Sequence, residues 1–235
     1  MAPTILSLFS GIGGLELGVG TVIPAARVVF GVELDPYRAA VFKRRFNCDV
    51  WDDICTFNGR WCLGVDFVTA GFPCQAFSTA ARGRNRQERN LWHEAARIIS
   101  EAQPGAVFLE NVWRVRDYLR VVRDDLRGMG YCVLPPLFTN SASMGAPHQR
   151  RRAWILAYAD SKSKWIKSFN EEMARLRTFA VSNCWAGGPG WILGMDDGVP
   201  ARMVERRALG DAVIPAQAAA AFREFMRRME KTARG

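Results

Sequence analysis

The chain has 235 residues, 49% of them apolar, which suits one domain, or one domain with a small appendage, around a sizeable core. No run approaches the roughly 18 apolar residues that span a membrane, and MAPTILSLFS lacks the basic n-region and cleavage tripeptide of a secretory signal, so a soluble, intracellular protein is expected. Lys and Arg number 32 against 23 Asp and Glu, a net +9 that suits either a phosphate backbone or a solvated basic face.

Taken in chain order, β-rich apolar runs alternate with helical patterns. TILSLF (4–9) reads as a strand and GIGGLELGV opens a helix. RVVFGVE (27–33) is a second strand, followed by a helix over PYRAAVFKRRF (36–46), whose proline suits a first turn. DFVTAG (66–71) is a strand, LWHEAARIISEA (91–102) a helix and VFLE (107–110) a strand. A helix through about 113–128 and apolar runs at 131–138 and 153–158 follow. A last helix is expected over about 211–231, N-capped by Asp211 with Pro215 near its first turn. This alternation predicts an α/β fold, a doubly wound, mostly parallel sheet. Residues 160–207 have no clear period, and CWAGGPGW (184–191) reads as turns.

Ligand sites in such sheets lie beyond the carboxyl ends of the strands, and four segments place useful residues there. In FSGIGG (9–14), glycines between strand and helix let the backbone approach a ligand, although the G-x-G-G spacing is not the dinucleotide fingerprint and also suits a plain tight turn. Glu33, about 20 residues on, is placed to hold ribose hydroxyls. Together the two suggest an adenosine-containing cofactor.

AGFPCQAFS (70–78) sets a thiol where an apolar run stops. A lone Cys there is either a small buried hydrophobe or a nucleophile. Gly71, Pro73, Gln75, Ser78 and the following Arg82, Arg84, Arg86 and Arg89 form an electropositive setting that favours thiolate. In FLENV (108–112), Glu110 ends an apolar strand, where a carboxyl group is costly unless it is salt-bridged or holds a proton for a ring nitrogen. The other cysteines, Cys48, Cys55, Cys62, Cys132 and Cys184, form no C-x-x-C pair and only two histidines accompany the six, so no metal site is expected. Residues 148–178 are basic, with Arg150, Arg151, Arg152, Lys162, Lys164, Lys167, Arg175 and Arg177 against Asp160, Glu171 and Glu172.

With these residues in hand, the chain resembles the cytosine-C5 DNA methyltransferases, whose motif order runs through SLFSGIGGLELG, ELD (33–35), DDI (52–54), AGFPCQAFS, RNL (89–91), ENV (110–112), PHQRRRAWILA (147–157) and ALGDAVIPAQ (208–217). The resemblance implies a Rossmann-like fold dependent on S-adenosylmethionine. It implies that Cys74 attacks C6 of a flipped-out cytosine, that Glu110 protonates or hydrogen-bonds ring N3, and that Arg150 and Arg152 contact the cytosine carbonyl and support the loop. Phe9, Gly11, Ile12, Gly14, Glu33, Leu34, Asp53, Ile54, Gly71, Pro73, Leu91 and Asp211 would line the cofactor site. Gln75, Ser78, Arg82, Arg84, Arg86, Arg151, Lys162, Lys164 and Lys167 would contact duplex DNA. A monomer, cytoplasmic and of bacterial or phage origin, is the corresponding expectation, acting on DNA at the nucleoid.

Two departures stand out: Ser7 occupies a position where the family usually has Asp, and Asp211 one where it usually has Asn. The family's target recognition domain is also reduced here to about 159–206, between catalytic segments 1–158 and 207–235, which predicts short or relaxed sequence selectivity. Competing readings are a subunit or inactive remnant that needs a partner chain for recognition, an RNA cytosine methyltransferase, and a nicotinamide oxidoreductase, which the G-x-G-G spacing and the Pro-Cys pair fit poorly.

Overall fold

Alternating runs of apolar residues, flanked by helices with one apolar stripe, close into a single mixed sheet in a computed structural model that describes residues 2–73, 90–146, 148–159 and 212–232. The order is β1 (Thr4–Leu8), α1 (Gly14–Val22), β2 (Arg27–Val32), α2 (Pro36–Phe46), β3 (Asp49–Trp51) and β4 (Phe67–Ala70). Then come α3 (Trp92–Ala102), β5 (Ala106–Val112), α4 (Leu119–Gly128), β6 (Tyr131–Val133), β7 (Leu137–Asn140), β8 (Arg151–Ala159) and α5 (Pro215–Thr232). Short 3-10 helices cover Gly59–Cys62, Trp113–Asp117 and Ser141–Met144.

The sheet runs β3-β2-β1-β4-β5-β8, and β6 and β7 both pair with β8. The first five strands are parallel and β8 is antiparallel to β5, with Val112 opposite Arg152. The reversal matters for function, because it brings the start of β8 to the same edge as the carboxyl ends of β1 to β5. That edge is where a doubly wound sheet holds its ligands.

Strand alternation sends side chains to two cores. Ile5, Phe67, Phe108 and Trp154 pack under α1, α2 and α5, while Leu6, Leu8, Val68, Val107 and Leu109 pack with α3 and α4. On the first face the rings of Phe108 and Trp154 stack at 5.6 Å, and Phe108 meets Phe222 at 5.1 Å.

The expected mostly parallel sheet is present, with differences at element ends. The helix expected from Asp211 starts instead at Pro215. A residue before proline is disfavoured in helical conformation, so Ile214 ends the extended approach and its carbonyl accepts the first bonds, from Gln217 and Ala218. The helix expected over 113–128 is a 3-10 turn and then α4, and the apolar run at 131–138 is divided between β6 and β7. The three-residue β3 was too short to signal itself in sequence.

Candidate active site

The glycine loop leaves β1 through Phe9, which adopts a left-handed φ of 52°, and Gly11, at 54°. The Gly11 N–H donates to Glu33 Oε2 at 2.7 Å, and the Asp35 N–H donates to Glu33 Oε1 at 2.9 Å. Glu33 therefore straps the loop to the start of α2. Asp35 itself caps that helix, accepting from the N–H groups of Tyr37 and Arg38. Arg45 reaches back from the last turn of α2 to donate to the Ile12 carbonyl.

The three glycines of the loop do different work. A Cβ on Gly11 would meet nothing within 4 Å, so the backbone is open on that side, whereas one on Gly13 would strike Phe46 at 2.2 Å and one on Gly14 the Val213 carbonyl at 2.0 Å. Gly14 thus faces the segment leading into α5. Phe9, Ile54 and Leu91 join one apolar cluster, Leu34 is 74% exposed, and Asp53 accepts a bond from the Cys55 N–H. An adenosyl group fits this donor set: an open backbone at Gly11, apolar side chains, and a Glu33 carboxylate whose two bonds leave acceptor sites for hydroxyls.

At the other end of the edge, Glu110 is 8% exposed near the end of β5. Its Oε1 makes a close ion pair with Arg152 Nε at 2.5 Å, and neither atom has another hydrogen-bond partner among the described residues. Burial pushes the Glu110 carboxyl above its ordinary range, opposed by the positive charges of Arg152 and Arg150. The group can therefore hold a proton or share one. A Cβ on Gly71 would lie 3.6 Å from Glu110 Oε2, an ordinary contact distance, which places the loop after β4 beside the carboxyl.

Asn111 fixes that loop from beneath, its Nδ2 donating to the Phe72 carbonyl at 2.9 Å, two residues before Cys74. The Phe72 ring is buried against Trp92 at 5.2 Å. The Arg150 backbone is held as firmly: its N–H donates to Ser141 Oγ at 2.9 Å, and its carbonyl accepts from Gln217 Nε2 at 2.9 Å. Sequence reading did not single out Asn111, Ser141 or Gln217. Asn111 stood inside the ENV motif and Gln217 at the end of ALGDAVIPAQ, while no local signal marks Ser141.

A second buried carboxyl sits under the loop. Glu16, 3% exposed on α1, accepts at Oε1 from Ser7 Oγ and Thr69 Oγ1, each at 2.7 Å, while Oε2 has no partner among the described residues. Burial pushes it upward despite those bonds. A carboxyl group is thus still present beside position 7, but α1 supplies it where β1 supplies Ser7.

Gly71 and Pro73 lie at the described end of the β4 loop, and Arg151 is exposed at the start of β8. Cys74, Gln75, Ser78, Arg82, Arg84, Arg86, Lys162, Lys164, Lys167 and Asp211 lie outside the described residues. Among the described cysteines, Cys48 has its thiol pushed up to about 11 by burial, and Cys55 and Cys62 are also raised. None of these three is poised as a thiolate. No group of acidic, His or Cys side chains that would hold a metal ion occurs among the described residues.

Comparison with known proteins adds an independent line. Residues 3–183 match the family model for C-5 cytosine-specific DNA methylases. The chain is 30% identical over 190 residues to the type II methyltransferase M.HpaII of Haemophilus parainfluenzae, covering 75% of this chain and 52% of the relative. It is 32% identical to M.NgoBI of Neisseria gonorrhoeae over 163 residues, 66% of this chain and 50% of that one. The chain spans about half the length of these relatives. In fold it is similar to Spodoptera frugiperda DNMT2, with a TM-score of 0.56 at 20% identity over 68% of this chain and 51% of that one.

Proposed function

The chain belongs to the C-5 cytosine-specific DNA methylase family, and from that premise we propose that it methylates C5 of cytosine in duplex DNA. S-adenosylmethionine, held by Gly11, Glu33 and the apolar side chains around them, supplies the methyl group when bound. The observation that carries the reading is the buried Glu110–Arg152 pair beside Gly71, with Asn111 anchoring the backbone that leads into Cys74.

The chemistry requires such an arrangement. Pyrimidine C5 is a poor nucleophile until a thiolate adds to C6, so Cys74 forms the carbon–sulfur bond that moves electron density onto C5 and toward ring N3. Glu110, held near its proton by burial, donates to N3 and stabilises that adduct. Arg152 keeps the carboxyl from drifting and balances its charge after proton transfer. Because the thiol cannot reach a stacked base, the cytosine must leave the duplex. Arg82, Arg84 and Arg86 then supply phosphate contacts to the duplex, and Lys162, Lys164 and Lys167 belong to a reduced recognition region that favours relaxed selectivity.

Incubating the purified chain with labelled S-adenosylmethionine and mixed-sequence duplex DNA, beside Cys74→Ser, tests the proposal. Label on C5 that vanishes in the variant is expected. Cofactor binding without transfer by the unmutated chain would overturn the reading of the chain as sufficient by itself.

A further inference from the structure

The exit of β5 carries a surface that methyl transfer does not use. Beyond Glu110 the chain passes Val112, which pairs with Arg152, and enters the 3-10 helix Trp113–Asp117. A cleft lined by Trp113, Arg114, Arg116 and Asp117 opens there. Trp113 packs on Phe138 of β7 at 4.7 Å, and the Arg151 guanidinium lies over the Trp113 ring, 6.0 Å from its centre. Three guanidinium groups thus share one surface with a single carboxylate, leaving two net positive charges.

The pairing of these charges is weak. Arg116 approaches Asp117 only at 3.9 Å, with the two side chains 64% and 86% exposed. Arg114 and Arg151 make no ion pair with an acid among the described residues. On α5, by contrast, Glu224 accepts from both Arg227, at 2.7 Å, and Arg228, at 2.9 Å, so each of those cations has a close acid partner. Exposed arginines with at most one distant acid partner among the described residues, beside an aromatic ring that orients one of them, suit a fixed row of anions better than a solvated face.

We infer that Arg114 and Arg116, with Arg151 held over Trp113, form a phosphate-binding lip for the duplex beside the target base. The inference rests on the proposed DNA reading. The register carries its placement: Val112 and Arg152 are paired, and Arg152 is the residue that contacts Glu110, so the lip abuts the catalytic carboxyl. A backbone passing there would be gripped without reference to base sequence.

The test measures the salt dependence of duplex binding for the full chain, for Arg114→Ala/Arg116→Ala, and for Arg227→Ala, on two unrelated sequences. Removing one phosphate-binding side chain lowers the slope of log K against log salt by about one. The double variant is expected to lower the slope by about two and to weaken binding to both duplexes alike, with S-adenosylmethionine binding unchanged, while Arg227→Ala keeps the slope. An unchanged slope in the double variant overturns the proposal and leaves the surface to a protein partner or to solvent. Absence of duplex binding by the unmutated chain overturns it as well. Methyl transfer, scored separately, distinguishes the two readings: transfer with an unchanged slope sinks the lip alone, and a reduced slope without transfer sinks the activity alone.

Discussion

Glu110 and Glu16 are both buried carboxyls near one edge of the sheet, and their surroundings separate their roles. Glu110 has Arg152 against it, so removing that arginine would leave a buried charge and cost about 3–5 kcal/mol unless the carboxyl took up a proton. Glu16 has no cation against it among the described residues, only the Ser7 and Thr69 hydroxyls and its own backbone N–H, so burial outweighs these donors and raises its carboxyl toward the neutral acid. The consequence for stability has a definite sign. Between the ordinary Glu value of 4.5 and the raised folded value, the unfolded chain has released the proton that the folded chain keeps. Folding therefore takes up a proton in that window, and stability falls as pH rises through it, levelling off above the folded pKa. Glu16→Gln keeps an oxygen to accept from Ser7 and Thr69 and has no proton to lose. Denaturant unfolding followed from about pH 5 to pH 8 is expected to give a shallower decline for the variant. Matching declines would mean that Glu16 is ionised in the folded protein. No sequence pattern announced this residue, because an acid inside GGLELG reads as surface helix until packing turns it inward.

At the scale of elements, the alternation of strands and helices was largely legible, while the cap expected at Asp211 and the contacts between helices were not. PYRAAVFKRRF, with its first-turn proline, predicts α2 to the residue, and the structure adds an Asp35 cap and a left-handed end at Asn47. The reading of the glycine loop was only partly sufficient. Gly14 and Gly18 lie on α1 where α5 crosses closely, and a Cβ on Gly18 would come within 2.5 Å of Ala218 Cβ and 2.8 Å of the Pro215 carbonyl. Sequence shows a glycine but not what presses against it, since the partner lies some 200 residues further along the chain. Gly18→Ala is accordingly expected to lower stability by about 1–3 kcal/mol, the usual cost of overpacking. Gly20→Ala provides the control, as a Cβ there meets nothing within 4 Å, and greater helix propensity should leave it neutral or slightly stabilising. Equal effects of the two substitutions in thermal unfolding would show that α1 and α5 do not pack closely in solution.

On the scale of the whole molecule, the site is assembled from both ends of the sequence. The sheet places Gly11, Glu33, Gly71, Glu110 and Arg152 along one edge, and the topology that does so was foreseeable from alternating strands and helices. What sequence did not show is that α5 underlies the site mechanically. Gln217 donates to Thr139 Oγ1 at 2.8 Å and to the Arg150 carbonyl, tying α5 to β7 and to the residue that leads into β8. The same helix buries Phe222, Phe225, Met226 and Met229 in the core under α1 and α2. At about 1.5–3 kcal/mol for each such side chain, these four contribute about 6–12 kcal/mol. That range matches the entire net stability of an ordinary domain, about 5–15 kcal/mol. A chain ending at residue 210 should therefore lack a cooperative thermal transition and bind a hydrophobic dye strongly, although Cys74, Glu110 and Arg152 are all present in it. Adding back residues 211–235 as a separate peptide should restore the transition if α5 is recruited by this apolar face. A cooperative transition in the shortened chain would mean that the remaining core suffices, and that α5 contributes positioning through Gln217 without determining the fold.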